Sequence, residues 1–291
     1  MRFAFIDAQK AYYPVPVLCR VLRVRRSGFY AWFSRGPSAR ARHDQVLGEQ
    51  IRAAFQDSRK TYGSPRLRAE LKARGVRTSK RRIERLMRGQ GLCARRKRKF
   101  TRTTDSRHKL PIAPNLLARN FTAAAPNRVW TTDLTYIWTQ QGWLYLAVIL
   151  DLYSRRVVGF SMSASIDEPL VLSALRMALV TRRPEPGLIH HSDRGSQYCA
   201  TQYLTVLKAH GIVRSMSRKA DCWDNAPSES FFSTLKQELI YRRDFRTRAE
   251  AQTAVFEYLW AYYNPQRRHS TLGFLSPIAY EERNSVASSS A

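Results

Sequence analysis

The chain has 291 residues and carries 50 Lys and Arg against 22 Asp and Glu, a formal net charge of +28. Its 44% hydrophobic and 11% aromatic content is enough for a sizeable core and excludes a disordered chain; at roughly 100–200 residues per domain, two or three domains are expected. The longest apolar run, residues 143–150, is far short of the ~20 that span a bilayer, residues 1–7 are no secretory signal, and four scattered cysteines suit neither a disulfide framework nor a zinc site, so a reducing cytoplasm and no membrane are expected.

Residues 13–35 read as a helix, a turn and a short second helix, the size of a helix-turn-helix, with the break at Ser27-Gly28. Residues 44–93 read as three helices. The first covers 45–57, with Val46, Leu47, Ile51 and Phe55 at helical spacing. The second opens at an N-cap, Ser64, followed by Pro65, and ends at Gly75. The third opens at Ser79, turns Ile83, Leu86 and Met87 inward, and loads its other faces with Lys80, Arg81, Arg82, Arg85 and Arg88. A short basic helix after a tight turn has the form of a major-groove reader. Arg95-Arg96-Lys97-Arg98-Lys99 then starts a basic linker suited to tracking phosphates. Residues 1–110 hold 30 Lys and Arg against 7 Asp and Glu, and residues 111–291 hold 20 against 15. A basic block of that size calls for a polyanion, and nucleic acid fits it better than a membrane surface.

From residue 127 the pattern becomes α/β. Residues 130–138 alternate as a strand, with Thr131, Asp133, Thr135 and Ile137 on one face. Gln140-Gln141-Gly142 is a turn. Residues 143–150 form a strand buried on both faces, and 157–162 a third strand. Helices over 168–180 and 202–210 alternate with strands over 188–191 and 213–216, and Pro227 opens a helix to about residue 240. This order is that of a ribonuclease-H-like core, a five-stranded mixed sheet with flanking helices, preceded by all-α helix-turn-helix-like DNA-binding segments. The expected divisions are 1–42, 43–94, a linker at 95–126, a catalytic core at 127–241, and a C-terminal helix and basic tail at 242–291.

In such a core a carboxylate from the first strand meets one at the end of the fourth and one from the last helix: here Asp133, Asp193 and Glu229. Glu229, Ser233 and Lys236 share one face of that helix, opposite Phe231, Leu235 and Leu239, and Lys236 is expected to meet a substrate phosphate. Two Mg²⁺ ions about 3.5–4 Å apart stabilise the attacking and leaving oxygens of an in-line phosphoryl displacement, and hard carboxylate oxygens suit them.

The segments Trp130-Thr131-Thr132-Asp133-Leu134-Thr135-Tyr136, His191-Ser192-Asp193-Arg194-Gly195-Ser196-Gln197-Tyr198 and Asp221-Cys222-Trp223-Asp224-Asn225-Ala226-Pro227-Ser228-Glu229, with Leu235-Lys236, closely resemble the DDE transposases and the retroviral-integrase core. Thirty-five residues separate Asp193 from Glu229, the spacing that family shows. Tyr263-Asn264, Arg267-Arg268-His269-Ser270-Thr271-Leu272-Gly273, Ser276-Pro277, Ser27-Gly28-Phe29-Tyr30-Ala31-Trp32 and Tyr62-Gly63-Ser64-Pro65-Arg66 extend the resemblance over nearly the whole chain. It is closest to the second-frame product of two-frame bacterial insertion sequences. The resemblance implies a transposase that cleaves and then transfers DNA strands at the element's own ends. It implies Mg²⁺, with Mn²⁺ as a substitute, double-stranded DNA ends and target, a homo-oligomer on DNA, and a nucleoid-associated enzyme. It also implies a partner from an upstream frame, bearing a helix-turn-helix and a leucine zipper. Lys80, Arg81, Arg82, Arg85, Arg96, Lys97, Arg98 and Lys236 are the expected DNA contacts. A non-catalytic DNA-binding regulator with a relic core and a simple metal-dependent nuclease are the alternatives.

Other residues read as structural. Asp151 is expected in an ion pair or turn cap beside Arg155 and Arg156, Asp221 and Asp224 as turn residues, and His190 and His191 as packed strand-end side chains. Trp130, Trp143 and Trp223 read as core or loop anchors, and residues 195–198 as a mobile loop over DNA. Asn225 is open between a DNA contact and helix entry, and Arg267-Arg268-His269 between a DNA-end contact and packing.

Overall fold

The computed structural model describes residues 1–94, 112–218 and 222–288. The N-terminal unit contains α1 (Arg2–Gln9), α2 (Val15–Val21) and α3 (Arg26–Ser34), packed on Ile6, Leu18, Cys19 and Phe29. The break between α2 and α3 falls at residues 22–25, not at Ser27-Gly28: Arg23 takes a φ of 53°, and the Val24 N–H returns to the Cys19 carbonyl at 2.9 Å. Ser27 and Gly28 lie in the first turn of α3. The helix α1 was not expected, because an eight-residue helix is marginal until it packs on neighbours.

The next three helices follow the predicted pattern with shifted starts. α4 (Ala39–Asp57) begins at the cap of Ser38, whose Oγ accepts the Ala41 N–H at 3.1 Å. α5 (Ser64–Ala73) is capped by Gly63 instead of Ser64; the Ser64 hydroxyl donates to Glu84 at 3.0 Å. α6 (Lys80–Gly89) is capped by Ser79, as expected. Leu47, Ile51, Phe55, Leu67, Leu71, Ile83 and Met87 form their common core.

The sheet contains β1 (Val129–Thr139), β2 (Gly142–Asp151), β3 (Val157–Ser163), β4 (Ile189–Ser192) and β5 (Val213–Met216), in the order β3-β2-β1-β4-β5. The first three strands are antiparallel, while β4 and β5 run parallel to β1. This is the expected mixed sheet. Its alternation divides the core. Trp130, Ala147 and Ile149 pack under α7 (Glu168–Arg182) and α8 (Thr201–Ala209). Ile137, Leu146 and Val148 pack with Phe231 and Leu235 of α9 (Ala226–Glu238). α10 (Arg248–Glu257) continues into a π-helix at Tyr258–Tyr263, and its Val255, Leu259 and Tyr262 join that second core; α11 (Pro277–Ser288) ends the described chain. Residues 112–126 lie against the sheet: Leu117 packs with Val129 and Leu152, and the Leu116 N–H donates to Ser215 Oγ at 2.9 Å. Among the described residues no helix is long and apolar enough to cross a membrane.

Candidate active site

Strand pairing brings the first two carboxylates side by side. Thr131 of β1 faces His191 of β4 in parallel register, and Asp133 and Asp193 each lie two residues further along. Asp133 Oδ1 accepts the Leu134 N–H at 2.7 Å, and Asp193 Oδ1 accepts the Gly195 N–H at 2.9 Å. Glu229 sits in the first turn of α9.

The start of α9 is tied to β1 through buried side chains. Thr131 Oγ1 donates to Asn225 Oδ1 at 2.7 Å and lies 2.9 Å from Ser228 Oγ, while Asn225 Nδ2 donates to the Thr132 carbonyl at 3.3 Å. Thr131, Asn225 and Ser228 are 1%, 5% and 2% exposed. This staple joins the strand of Asp133 to the turn of Glu229, and it settles Asn225 as a helix-entry residue. Residue type alone does not mark Thr131 or Ser228 as part of the site, although both stand inside the segments that carry the resemblance.

The electrostatics agree with this convergence. Burial pushes the Asp133 carboxyl well above the usual range, and the charges of Asp193 and then Glu229 push the same way; the Leu134 N–H and Lys236 oppose them. Among the described residues no three His, Cys, Asp or Glu side chains stand as a ready metal cage. The donor set nonetheless fits a divalent cation. The three groups are hard oxygen donors, and the repulsion that raises Asp133 is what such an ion relieves.

Lys236 is 9% exposed, with its ammonium 5.1 Å from the centre of the Tyr136 ring. Burial lowers its pKa and the Asp133 charge counters that shift, so it lies beside the acidic centre. Of the basic helix, Arg82 and Arg85 bind Asp44 at 2.7 and 2.6 Å, and Lys80 pairs with Glu84 at 3.5 Å. Arg81 and Arg88 carry no ion pair among the described residues. Arg96, Lys97 and Arg98 lie outside the described residues.

The side chains read as structural have definite partners. His190 Nε2 lies 2.6 Å from the Tyr203 hydroxyl, and His191 lies between Ser215 and Ser217 at 2.8 and 3.2 Å. Burial lowers their pKa values to about 3 and about 4. Asp151 caps the Asn127 and Tyr153 N–H groups and pairs with Arg182, not with Arg155 or Arg156. Asp224 is a buried anchor that accepts from Asn115, Arg119 and Arg218, and Arg218 above all holds its carboxyl far below the usual range. Where residues 195–198 read as a loop, Ser196–Cys199 form a 3-10 turn with Tyr198 buried against Tyr203. Trp130 is a core anchor, but Trp143 is 42% exposed.

The C-terminal arginines are packing residues. Arg267 binds both oxygens of Glu238, at the end of α9, at 2.8 Å each, and the Tyr258 hydroxyl donates to the same carboxylate. Arg268 reaches back to Glu70 of α5 at 2.7 Å, and its N–H donates to the Tyr62 hydroxyl. The helical bundle of α4–α6 thus docks on the C-terminal segment.

Residues 123–222 and 229–284 match two families described as "Integrase core domain", and residues 42–100 match an "HTH-like domain". The chain is 47% identical over 266 residues to the "Insertion element IS600 uncharacterized 31 kDa protein" of Shigella sonnei, covering 91% of this chain and 98% of that protein. It is 43% identical over 286 residues to "Transposase InsF for insertion sequence IS3A" of Escherichia coli strain K12, covering 98% of this chain and 99% of that protein. Among solved structures, the catalytic core of BIV integrase aligns at a TM-score of 0.40 and 22% identity, over 55% of this chain and 99% of that one. A chain of the simian T-cell lymphotropic virus intasome aligns at 0.46 and 15%, over 72% and 68%.

Proposed function

The chain belongs to the insertion-sequence transposases with an integrase core, enzymes of the DDE polynucleotidyl transferase type, and from that premise we propose that Asp133, Asp193 and Glu229 form its reacting centre. The observation that carries this reading is the convergence of three carboxylates from β1, the end of β4 and α9, felt at Asp133 as mutual repulsion. A divalent cation held there supplies charge neutralisation and Lewis acidity to an in-line displacement at phosphorus. We assign two Mg²⁺ ions to the trio, with Mn²⁺ able to replace them.

The chain's own groups organise the reaction. The Leu134 and Gly195 N–H groups each fix one carboxylate, and the Thr131–Asn225–Ser228 staple sets the helix of Glu229 against the strand of Asp133. Lys236, whose charge acts on Asp133, meets a substrate phosphate. Water attacks the phosphodiester at an element end and frees a 3′-OH, which then attacks a second phosphodiester. No protein nucleophile is required.

DNA binding belongs to the helical part and the basic linker, through Lys80, Arg81, Arg82, Arg85, Arg96, Lys97 and Arg98, and to Lys236 beside the acidic centre; Arg81 is the one of the four on α6 that carries no ion pair among the described residues. The working form is a homo-oligomer on DNA, assisted by a product of an upstream frame, and it acts in the bacterial cytoplasm at the nucleoid. The functional divisions are 1–42, 43–94, 95–126, 127–241 and 242–291.

The test uses duplex oligonucleotides carrying the element ends. Alanine at Asp133, Asp193 or Glu229 abolishes cleavage and joining and leaves DNA binding intact. Joining at the wild-type level in any one variant sinks the assignment. Cuts without joined products from the wild-type protein would make it a nuclease instead.

A further inference from the structure

We propose that Trp138 and Trp143, at the end of the β1–β2 hairpin, form an aromatic platform that stacks on an unpaired nucleobase of DNA. β4 pairs with β1 only from Val129 to Thr131, and a single parallel bridge, Thr139 to Phe245, closes the far end. Among the described residues no strand pairs with 132–138 on the β4 side, although Thr132, Thr135 and Ile137 are themselves buried. Asp133 stands at the start of this edge, and Tyr136, with the Lys236 ammonium over its ring, stands midway. Trp138 and Trp143 stand at its end, paired across the hairpin with ring centres 4.8 Å apart, and Trp143 also meets the Tyr136 ring edge-on at 5.0 Å.

Both indoles are exposed, Trp138 at 58% and Trp143 at 42%. Large aromatic faces left in water beside a reaction centre mark a binding surface. The surrounding charge selects the occupant. Arg248 Nε donates to the Trp143 carbonyl at 3.0 Å, and exposed Arg243 and Arg246, with exposed Asp244 between them, flank the Phe245 bridge. Aromatic faces among cations on a groove edge are what single-stranded nucleic acid requires, because stacking serves any base while the cations meet the phosphates. A strand rises about 3.3 Å per residue, so the Trp138 backbone lies ~17 Å from that of Asp133.

This inference rests on the acidic trio as the reaction centre, and its test is binding, without divalent ions, so its failure is separate from failure of the trio. Fluorescence anisotropy measures the affinity of the full chain for a labelled 20-nucleotide oligothymidylate and for a blunt 20-base-pair duplex. The variant W138A/W143A should lose at least fivefold in affinity for the single strand, the equivalent of one stacked base, and stay within twofold on the duplex. W138F/W143F, which keeps the rings, should stay within twofold on both. Unchanged single-strand affinity in the alanine variant overturns the proposal. So does an equal loss on both DNAs, and so does a shift in sedimentation of the free protein with single-strand binding intact, which would make the aromatics a protein interface.

Discussion

Asn225→Ala is the most informative single change, because it cuts the staple without touching a carboxylate. It removes the acceptor of Thr131 at 2.7 Å and the donor to the Thr132 carbonyl at 3.3 Å, both buried. Thr131 keeps Ser228 at 2.9 Å, so the hydroxyl is not fully orphaned. Leaving buried partners short of a hydrogen bond costs about 1–3 kcal/mol. At about 2–4 °C per kcal/mol for a domain of this size, Tm falls by roughly 2–12 °C. The effect on chemistry is larger. Glu229 lies one helical turn after Asn225, so a shift of the turn is transmitted to the carboxylate, and a misplacement of about 1 Å at a reacting centre costs on the order of 10²-fold. Thermal unfolding, duplex affinity and single-turnover joining, measured on the same preparation, separate the terms. We expect a lowered Tm, unchanged duplex affinity and a joining rate down about 10- to 100-fold, with Thr131→Ser near wild type. A lowered Tm with joining within twofold of wild type would show that the staple supports the fold and does not position Glu229.

Arg267→Met should cost about 3–5 kcal/mol by leaving Glu238 buried without its partner, and R267M/E238M should recover much of it, as read by denaturant unfolding. A variant of unchanged stability that binds element ends more weakly would return Arg267 to the DNA. His190 and His191 fold as neutral side chains with pKa values of about 3 and about 4, below the ordinary 6.5. The unfolded chain therefore binds their protons first, and stability is lost as pH falls from 6.5 towards 4. The loss is on the order of 1 kcal/mol per histidine per pH unit, and flat stability between pH 7 and 5 would contradict it. On α6, Arg81→Ala and Arg88→Ala should each reduce the salt slope of DNA binding by about one, whereas Arg82→Ala should leave Asp44 to Arg85 alone and lower Tm. An unchanged salt slope in the first two would remove α6 from the interface.

Much of the fold was legible because hydrophobic period is a local property. The alternation in β1, the apolar run of β2 and the i,i+4 pair Leu67 and Leu71 each report a face without reference to distant residues. The acidic candidates were legible for a related reason: each stands at a recognisable place, mid-strand, strand-end or first helical turn. The helix α1 was not, since its few residues are held by contacts from α3. Nor was the working face of the basic helix, because Asp44, which holds Arg82 and Arg85, lies about forty residues before them.

The sequence by itself determined the elements, their buried faces, the basic imbalance of the first 110 residues and three acids suited to phosphoryl transfer. Only the tertiary structure decided which charges are spent inside the protein. Arg267 is held by Glu238, Arg268 by Glu70, and Arg82 and Arg85 by Asp44. It also decided that Asn225 binds Thr131 across 94 residues of chain. The physical reason is the same in each case. A side chain's period and type fix which way it faces within its own element. Its partner is fixed only when separate elements pack, and a buried charge or hydrogen bond exists only where that packing brings its counterpart within about 3 Å.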